Sequence, residues 1–176
     1  MTESLINKTY YYKYDDFRDG VKDIVKWLKP QREGYTAFDD EWWEPDLIVS
    51  INRGGLVAGV FISHAIDKPH YPISYQTRDN DMSYHDKGLY DRTMMPPVLN
   101  DDKNILLVDD INDSGKTFTD IMNFWSEKMN KPLDHLHKKI KTVSLIERTG
   151  SSWAVDYTPK VLDTKQWVVF PWELII

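Results

Sequence analysis

One feature limits what this chain can fold into more than any other: short apolar runs alternate with helical periodicity. Residues 47–51 form an apolar run, followed by Asn52-Arg53-Gly54-Gly55 and a helical pattern through Ile66. Residues 72–77 form a second strand-like piece and residues 105–108 a third, which leads into a helix with Phe118, Ile121, Met122, Trp125 and Met129 on one face. Residues 141–146 form a fourth, and short pieces at 160–162 and 167–170 follow. Strands that alternate with helices predict an α/β fold with a parallel sheet. Upstream, Phe17, Val21, Ile24, Val25 and Leu28 predict an amphipathic helix over 16–29, ended by Pro30. The tyrosines at 10, 11, 12 and 14 suit an edge strand or a packing arm. Residues 31–46 and 78–103 lack periodicity, and a stretch as long as the second is expected to be a functional loop or disorder.

The size, 176 residues, suits a single domain. There are 22 lysines and arginines against 28 aspartates and glutamates, a net charge of −6, which argues against a nucleic-acid or membrane-surface role. No cysteine is present, so disulfides, thiol nucleophiles and thiolate metal sites are excluded, and an intracellular, cytoplasmic setting is expected. No apolar run approaches the length of a membrane span, and the start lacks a signal-peptide core.

Gly115-Lys116-Thr117 suggests a triphosphatase loop, but that loop needs a glycine at position 110, where Asp110 stands. Asp-Asp doublets occur four times, at 15–16, 39–40, 101–102 and 109–110, so the doublet alone says nothing. Asp109-Asp110 differs by position: it follows a buried strand, where open α/β sheets form their ligand crevice. A small-residue turn opening a helix comes next, and helix N-termini favour phosphate. Carboxylates beside a phosphate site suit hydroxyl groups, or a magnesium ion that itself carries phosphate. Diol at one end and phosphate at the other describe a ribose phosphate.

The run ILLVDDINDSGKT at 105–117 resembles the ribose-phosphate signature of the type I phosphoribosyltransferases. VSINRGGLVAGV at 49–60 resembles the pyrophosphate loop of the xanthine-guanine branch, with Asn52 where a serine is usual. DTKQWVVFPWE at 163–173 is similar to the end of the same enzymes. The resemblance spans 10–173 in order, with extra length at 31–45, 78–103 and 128–139. It stops short of the family's C-terminal tail, so contacts made by that tail are not expected.

The resemblance implies a Rossmann-like parallel sheet with a small C-terminal hood over the base. It implies that Arg53, Gly54 and Gly55 bind pyrophosphate, and that Asp113, Ser114, Gly115, Lys116 and Thr117 hold the 5′-phosphate. Asp109 and Asp110 would grip the ribose hydroxyls and the hydration shell of Mg²⁺, with Glu173 as a further metal-side acid. Asp113 would act as base or acceptor toward the purine, and Arg53 as a catalytic cation on the leaving group. Trp167 would stack on the base and the Val168 backbone would read its edge; the alternative for Trp167 and Phe170 is plain core packing. Arg148 stands where the family has a lysine for the 6-oxo group, and a guanidinium differs in reach and geometry. Ser74 and Tyr75 lead into the 78–103 stretch, a candidate flap; Ser83-Tyr84 is a second such pair.

The implied activity is transfer of phosphoribosyl from phosphoribosyl pyrophosphate to xanthine, guanine or hypoxanthine, in a homodimer or homotetramer. The alternatives are a non-catalytic sensor of phosphoribosyl pyrophosphate, or a transferase for another base. An orotate-type enzyme is disfavoured, because 78–103 holds only Lys87 and Lys103 as lysines. His135 and His137 are two apart and are not expected to form a metal site. The basic run at 137–141 reads as the solvated start of a strand.

Overall fold

The computed structural model describes residues 9–29, 43–75, 95–96, 102–163 and 165–174. The tyrosine-rich segment forms a short strand, β1 (Tyr10–Tyr11), and feeds helix α1 (Tyr14–Leu28). This helix starts two residues before the apolar periodicity predicts, because Asp16 Oδ2 accepts the Lys13 N–H at 3.1 Å and satisfies the donor at the helix mouth. Its buried face carries Phe17, Val21, Ile24, Val25 and Leu28, the residues its periodicity singles out.

Strand β2 (Leu47–Asn52), helix α2 (Gly54–Ile66) and strand β3 (His70–Ser74) follow. The third strand begins two residues earlier than expected, and Pro72 lies within it. That is tolerated because β3 is an edge strand, where a missing N–H breaks no ladder bond on the open side. Strand β4 (Ile105–Asn112) leads to α3 (Lys116–Met129), α4 (Leu133–Lys139) and β5 (Ile140–Arg148). Chain-terminal pieces are β6 (Val161–Leu162), β7 (Val168–Val169) and a 3₁₀ turn at Pro171–Glu173. The short α4 lies in the extra length noted at 128–139. Most of 31–46 and most of 78–103, including Ser83 and Tyr84, lie outside the described residues.

Five parallel strands form the main sheet in the order β3-β2-β4-β5-β6. Alternation along the strands divides the core between two faces. Ile48, Leu106, Val108, Val143 and Leu145 pack with α1 and α2. Val49, Ile51, Ile105 and Leu107 pack on the other face with Phe118, Ile121, Met122 and Trp125 of α3.

This strand order fixes where a ligand crevice opens. From β2 the chain crosses outward to β3, whereas from β4 it crosses the opposite way to β5, so the order reverses between β2 and β4. Open α/β sheets bind ligands outside the carboxyl ends of strands at such a switch point.

The expected C-terminal hood takes in the N-terminal strand as well. It is built from both chain ends, since β1 pairs in parallel with β7 through Tyr10↔Val168 and Tyr11↔Val169. Tyr12 is buried and meets Phe170 edge-on, with ring centroids 5.4 Å apart. Among the described residues no helix is long and apolar enough to cross a membrane.

Candidate active site

The carboxyl ends of β2 and β4 bring together two motifs that stand more than fifty residues apart in the chain. After Asn52, the Asn52–Arg53 peptide is cis and Arg53 sits exposed at the cap of α2. Gly54 then lies so close to Asp110 that a Cβ there would fall 2.6 Å from Oδ1, and closer still to Oδ2 and Cγ. A Cβ on Gly55 would meet the Val108 carbonyl oxygen at 2.5 Å and Asp109 Cα at 2.8 Å. Both glycines are therefore required by close approach: they let the start of α2 lie directly against the end of β4.

Strand β4 is longer than its apolar run. It continues through Asp109 and Asp110 to Asn112 because β5 extends alongside, pairing Asp109↔Ser144, Ile111↔Ile146 and Asn112↔Glu147. The two acids thus sit on a rigid ladder rather than in the following loop. Asp109 is buried and its Oδ1 accepts the Asp110 N–H at 2.9 Å. Asp110 Oδ1 accepts the Ile111 N–H at 2.8 Å.

Burial raises the Asp109 carboxyl well above the usual range, and the neighbouring Asp110 charge adds to this. Burial likewise pushes Asp110 up to about 6, with the Ile111 N–H holding it back and the Glu173 charge adding to the rise. A crowded pair of acids, one buried and one half-buried, favours a neutralising partner. Mg²⁺ characteristically takes one or two carboxylates and completes its shell with water and substrate phosphate. Asp109 and Asp110 fit that mode. Among the described residues no group of three acids or histidines is preformed, while Glu173 stands near enough for its charge to be felt at Asp110. Glu173 accepts the Phe170 N–H at 2.9 Å through Oε2, which fixes the 3₁₀ turn.

Beyond β4 the chain turns through Asp113 and Ser114 to Gly115, whose φ of 85° is the left-handed conformation that glycine adopts most readily. Lys116 and Thr117 open α3, and the Lys116 ammonium pairs with Asp120 one turn on. Tyr75 also donates to Asp120 and is buried, while Ser74 ends β3 and accepts from Asn52 Nδ2 at 3.3 Å. These two residues are tied to the Asn52 turn on one side and to α3 on the other.

Asp113 and Arg148 come together as an ion pair. Arg148 is only 13% exposed and Asp113 66%, so the carboxylate reaches out and the guanidinium lies behind it. Arg148 Nη2 also donates to the Gln166 carbonyl at 2.5 Å, joining the loop after β4 to the cap. Trp167 follows with 51% of its surface exposed, so core packing is not its role; Phe170, 2% exposed, fills the core instead. The cap ladder uses the Trp167 and Val169 carbonyls, which accept from Tyr10 and Tyr12 at 2.8 and 2.9 Å. In a parallel ladder this turns Val168's own N–H and C=O away from β1.

Sequence reading missed one group of residues here. Asn112, read as a spacer, is 2% exposed and donates through Nδ2 to Glu147 Oε1 (3.0 Å) and to the Trp153 carbonyl (2.6 Å). No spacing rule marks Glu147 or the Ser151-Ser152-Trp153 turn, because their relation to Asn112 exists only once β4 and β5 pair. His135 and His137 lie on the short α4, and His137 stacks on Trp153 with centroids 5.1 Å apart.

Residues 33–175 match the phosphoribosyl transferase domain family. No curated protein matches the sequence closely enough to count as a relative. Among solved structures, the fold is similar to a purine phosphoribosyltransferase from Pyrococcus horikoshii Ot3, with TM-score 0.65 and 23% identity over 96% of both chains. It is similar to the xanthine-guanine-hypoxanthine phosphoribosyltransferase of Helicobacter pylori, with TM-score 0.66 and 23% identity over 96% of this chain and 94% of that one. A Neisseria gonorrhoeae protein with bound ppGpp gives TM-score 0.62 and 18% identity, over 97% and 92%.

Proposed function

The chain belongs to the phosphoribosyl transferase domain family, and from that premise we propose that it transfers the 5-phosphoribosyl group of phosphoribosyl pyrophosphate to a 6-oxopurine. The products are the nucleoside 5′-monophosphate and pyrophosphate, as in purine salvage. One observation carries this reading above the rest: the glycine loop at 53–55 and the Asp109–Asp110 pair interlock at the switch point, with Gly54 against the Asp110 carboxylate. Such a junction suits a ligand that needs pyrophosphate and ribose hydroxyls held side by side.

In this mechanism a ring nitrogen of the base displaces pyrophosphate from the anomeric carbon through an oxocarbenium-like transition state. Arg53 and the 53–55 backbone receive the leaving pyrophosphate. Asp109 and Asp110 hold the ribose hydroxyls, and they are also the residues that would hold Mg²⁺, which supplies charge neutralisation on the pyrophosphate. The amides and hydroxyls of 114–117 hold the 5′-phosphate at the start of α3. Asp113 accepts the purine proton, and its pairing with Arg148 holds the carboxylate in place for that task. Trp167 offers an exposed face for stacking, and Val168's N–H and C=O, turned away from β1, suit the base edge. Arg148 stands as donor to the 6-oxo group. The 78–103 stretch, entered through Ser74 and Tyr75, would serve as the flap that excludes water.

The same reading holds the protein to be a cytoplasmic homodimer or homotetramer acting on small molecules, without nucleic-acid or membrane partners. The test is pyrophosphate release in Mg²⁺ with phosphoribosyl pyrophosphate and a panel of bases. Release with xanthine, guanine or hypoxanthine, and not with adenine or orotate, supports it. Tight binding of phosphoribosyl pyrophosphate without release on any base overturns it in favour of a non-catalytic sensor.

A further inference from the structure

We propose that Glu147, Asn112 and the Ser151–Trp153 turn form a clamp that sets the shape of the phosphate loop. They act as positioning residues for the 5′-phosphate, not as its ligands. The inference rests on the site reading above. Three sets of contacts converge on the loop from behind. Ser152 donates to the Ser114 carbonyl twice, from its N–H at 3.1 Å and from Oγ at 2.8 Å. Gly115 lies flush against the same turn, since a Cβ there would fall 2.6 Å from Ser152 Oγ and closer still to the Trp153 amide nitrogen. Asn112, immediately before the loop, uses its whole side-chain amide. Nδ2 donates to Glu147 Oε1 and to the Trp153 carbonyl, and Oδ1 accepts from Ser151 Oγ at 3.1 Å.

The clamp is anchored at its far side. Trp153 Nε1 donates to Thr142 Oγ1 at 3.2 Å, and its ring stacks between Phe118 of α3 and His137 of α4. Glu147 Oε1 also lies 3.3 Å from the Val155 N–H, so one carboxylate oxygen holds both the strand before the phosphate loop and the strand-like return after the turn. A part-buried network of this kind rigidifies when every member is satisfied, and loosens as a unit when one acceptor is lost. With Glu147 replaced by an apolar residue, an Asn112 N–H is left unpaired at a nearly closed site. The amide then turns to find another partner, and the Ser151 and Trp153 bonds go with it.

This geometry acts on one end of the substrate only. The pyrophosphate loop is on β2 and α2, and none of the clamp residues touches it. The experiment compares Glu147→Leu, Glu147→Gln and Ser152→Ala by calorimetric titration with ribose 5-phosphate and, separately, with pyrophosphate, alongside steady-state kinetics. For Glu147→Leu we expect ribose 5-phosphate affinity to fall and KM for phosphoribosyl pyrophosphate to rise about tenfold, the scale of one buried hydrogen bond left unmade. Pyrophosphate affinity and kcat stay within about twofold. Glu147→Gln keeps an acceptor oxygen and restores wild-type values. Ser152→Ala, on an exposed side chain, keeps the fold and gives a smaller loss of the same kind. Equal weakening of both ligands, or unchanged ribose 5-phosphate affinity in Glu147→Leu and Ser152→Ala, overturns the clamp. If the wild-type protein itself binds neither ligand, the underlying site reading fails first.

Discussion

Replacing Gly54 with alanine tests the junction on which the site depends. The added Cβ would stand 2.6 Å from Asp110 Oδ1 and nearer to Oδ2 and Cγ, while ordinary contact begins at 3.4 Å. The carboxylate must therefore retreat by more than 0.8 Å, or the start of α2 must lift from β4. Neither is easily done. Asp110 is held by the Ile111 N–H at 2.8 Å, and Gly55 presses α2 onto the Val108 carbonyl. Overpacking a rigid site costs about 1–3 kcal/mol. For a chain of this size that is a fall in Tm of roughly 4–8 °C at the midpoint of the range. The catalytic effect is larger than the stability effect, since misplacing a reacting group by about 1 Å can cost a hundredfold in rate. The expectation is a folded protein whose kcat/KM for phosphoribosyl pyrophosphate falls by about two orders of magnitude. Differential scanning calorimetry and a coupled pyrophosphate assay measure the two quantities on one preparation. A Gly54→Ala variant with wild-type Tm and wild-type turnover would refute the close packing of α2 on Asp110 and its place in the chemistry.

Asp113→Asn retains an oxygen for Arg148 and should leave the circular dichroism spectrum unchanged, while kcat falls about 10²–10⁴-fold as expected for loss of an acid–base group. Trp167→Ala should raise KM for the base by about tenfold or more, the scale of aromatic stacking on a base. Because its ring is half exposed, Tm should barely move; an unchanged KM removes Trp167 from the base site. The Asp110 carboxyl is raised from 3.8 to about 6 in the folded chain, so folding favours its protonated form. In chelator-treated protein that contribution is complete below about pH 4 and is lost as pH rises through about 6. Asp110→Asn should therefore be more stable than wild type by roughly 3 kcal/mol at pH 7.5, with the gap closing toward pH 4. Thermal melts across that range check the sign, and a gap that widens on acidification contradicts it.

The sheet was legible because apolar runs of four or five residues separated by helical periodicity allow few arrangements. Strand lengths were less legible. Asp109 to Asn112 break the apolar pattern of β4, and only their pairing with Ser144 to Glu147 keeps them in the ladder. The pattern of a strand buried on both faces cannot reveal where it continues into polar residues that another strand holds. In the site, the glycines and the acid pair could be found from sequence because close approach and charge leave a local signature. The Asp113–Arg148 pair joins positions 35 residues apart, and nothing local to either residue announces it. Asn112 and Glu147 were missed for the same reason. The two-ended cap was hidden more deeply still, since strands of two residues, Tyr10–Tyr11 and Val168–Val169, carry almost no periodicity of their own.

The central claim is that the switch-point crevice joins ribose phosphate to an oxopurine. Its most direct test is the rate of pyrophosphate release from phosphoribosyl pyrophosphate in Mg²⁺ with each of xanthine, guanine, hypoxanthine, adenine and orotate. The account predicts base-dependent release with at least one of the three oxopurines, a nucleoside 5′-monophosphate formed in equal amount, and none with adenine or orotate. Release that is equal with and without base, or confined to adenine or orotate, would contradict it.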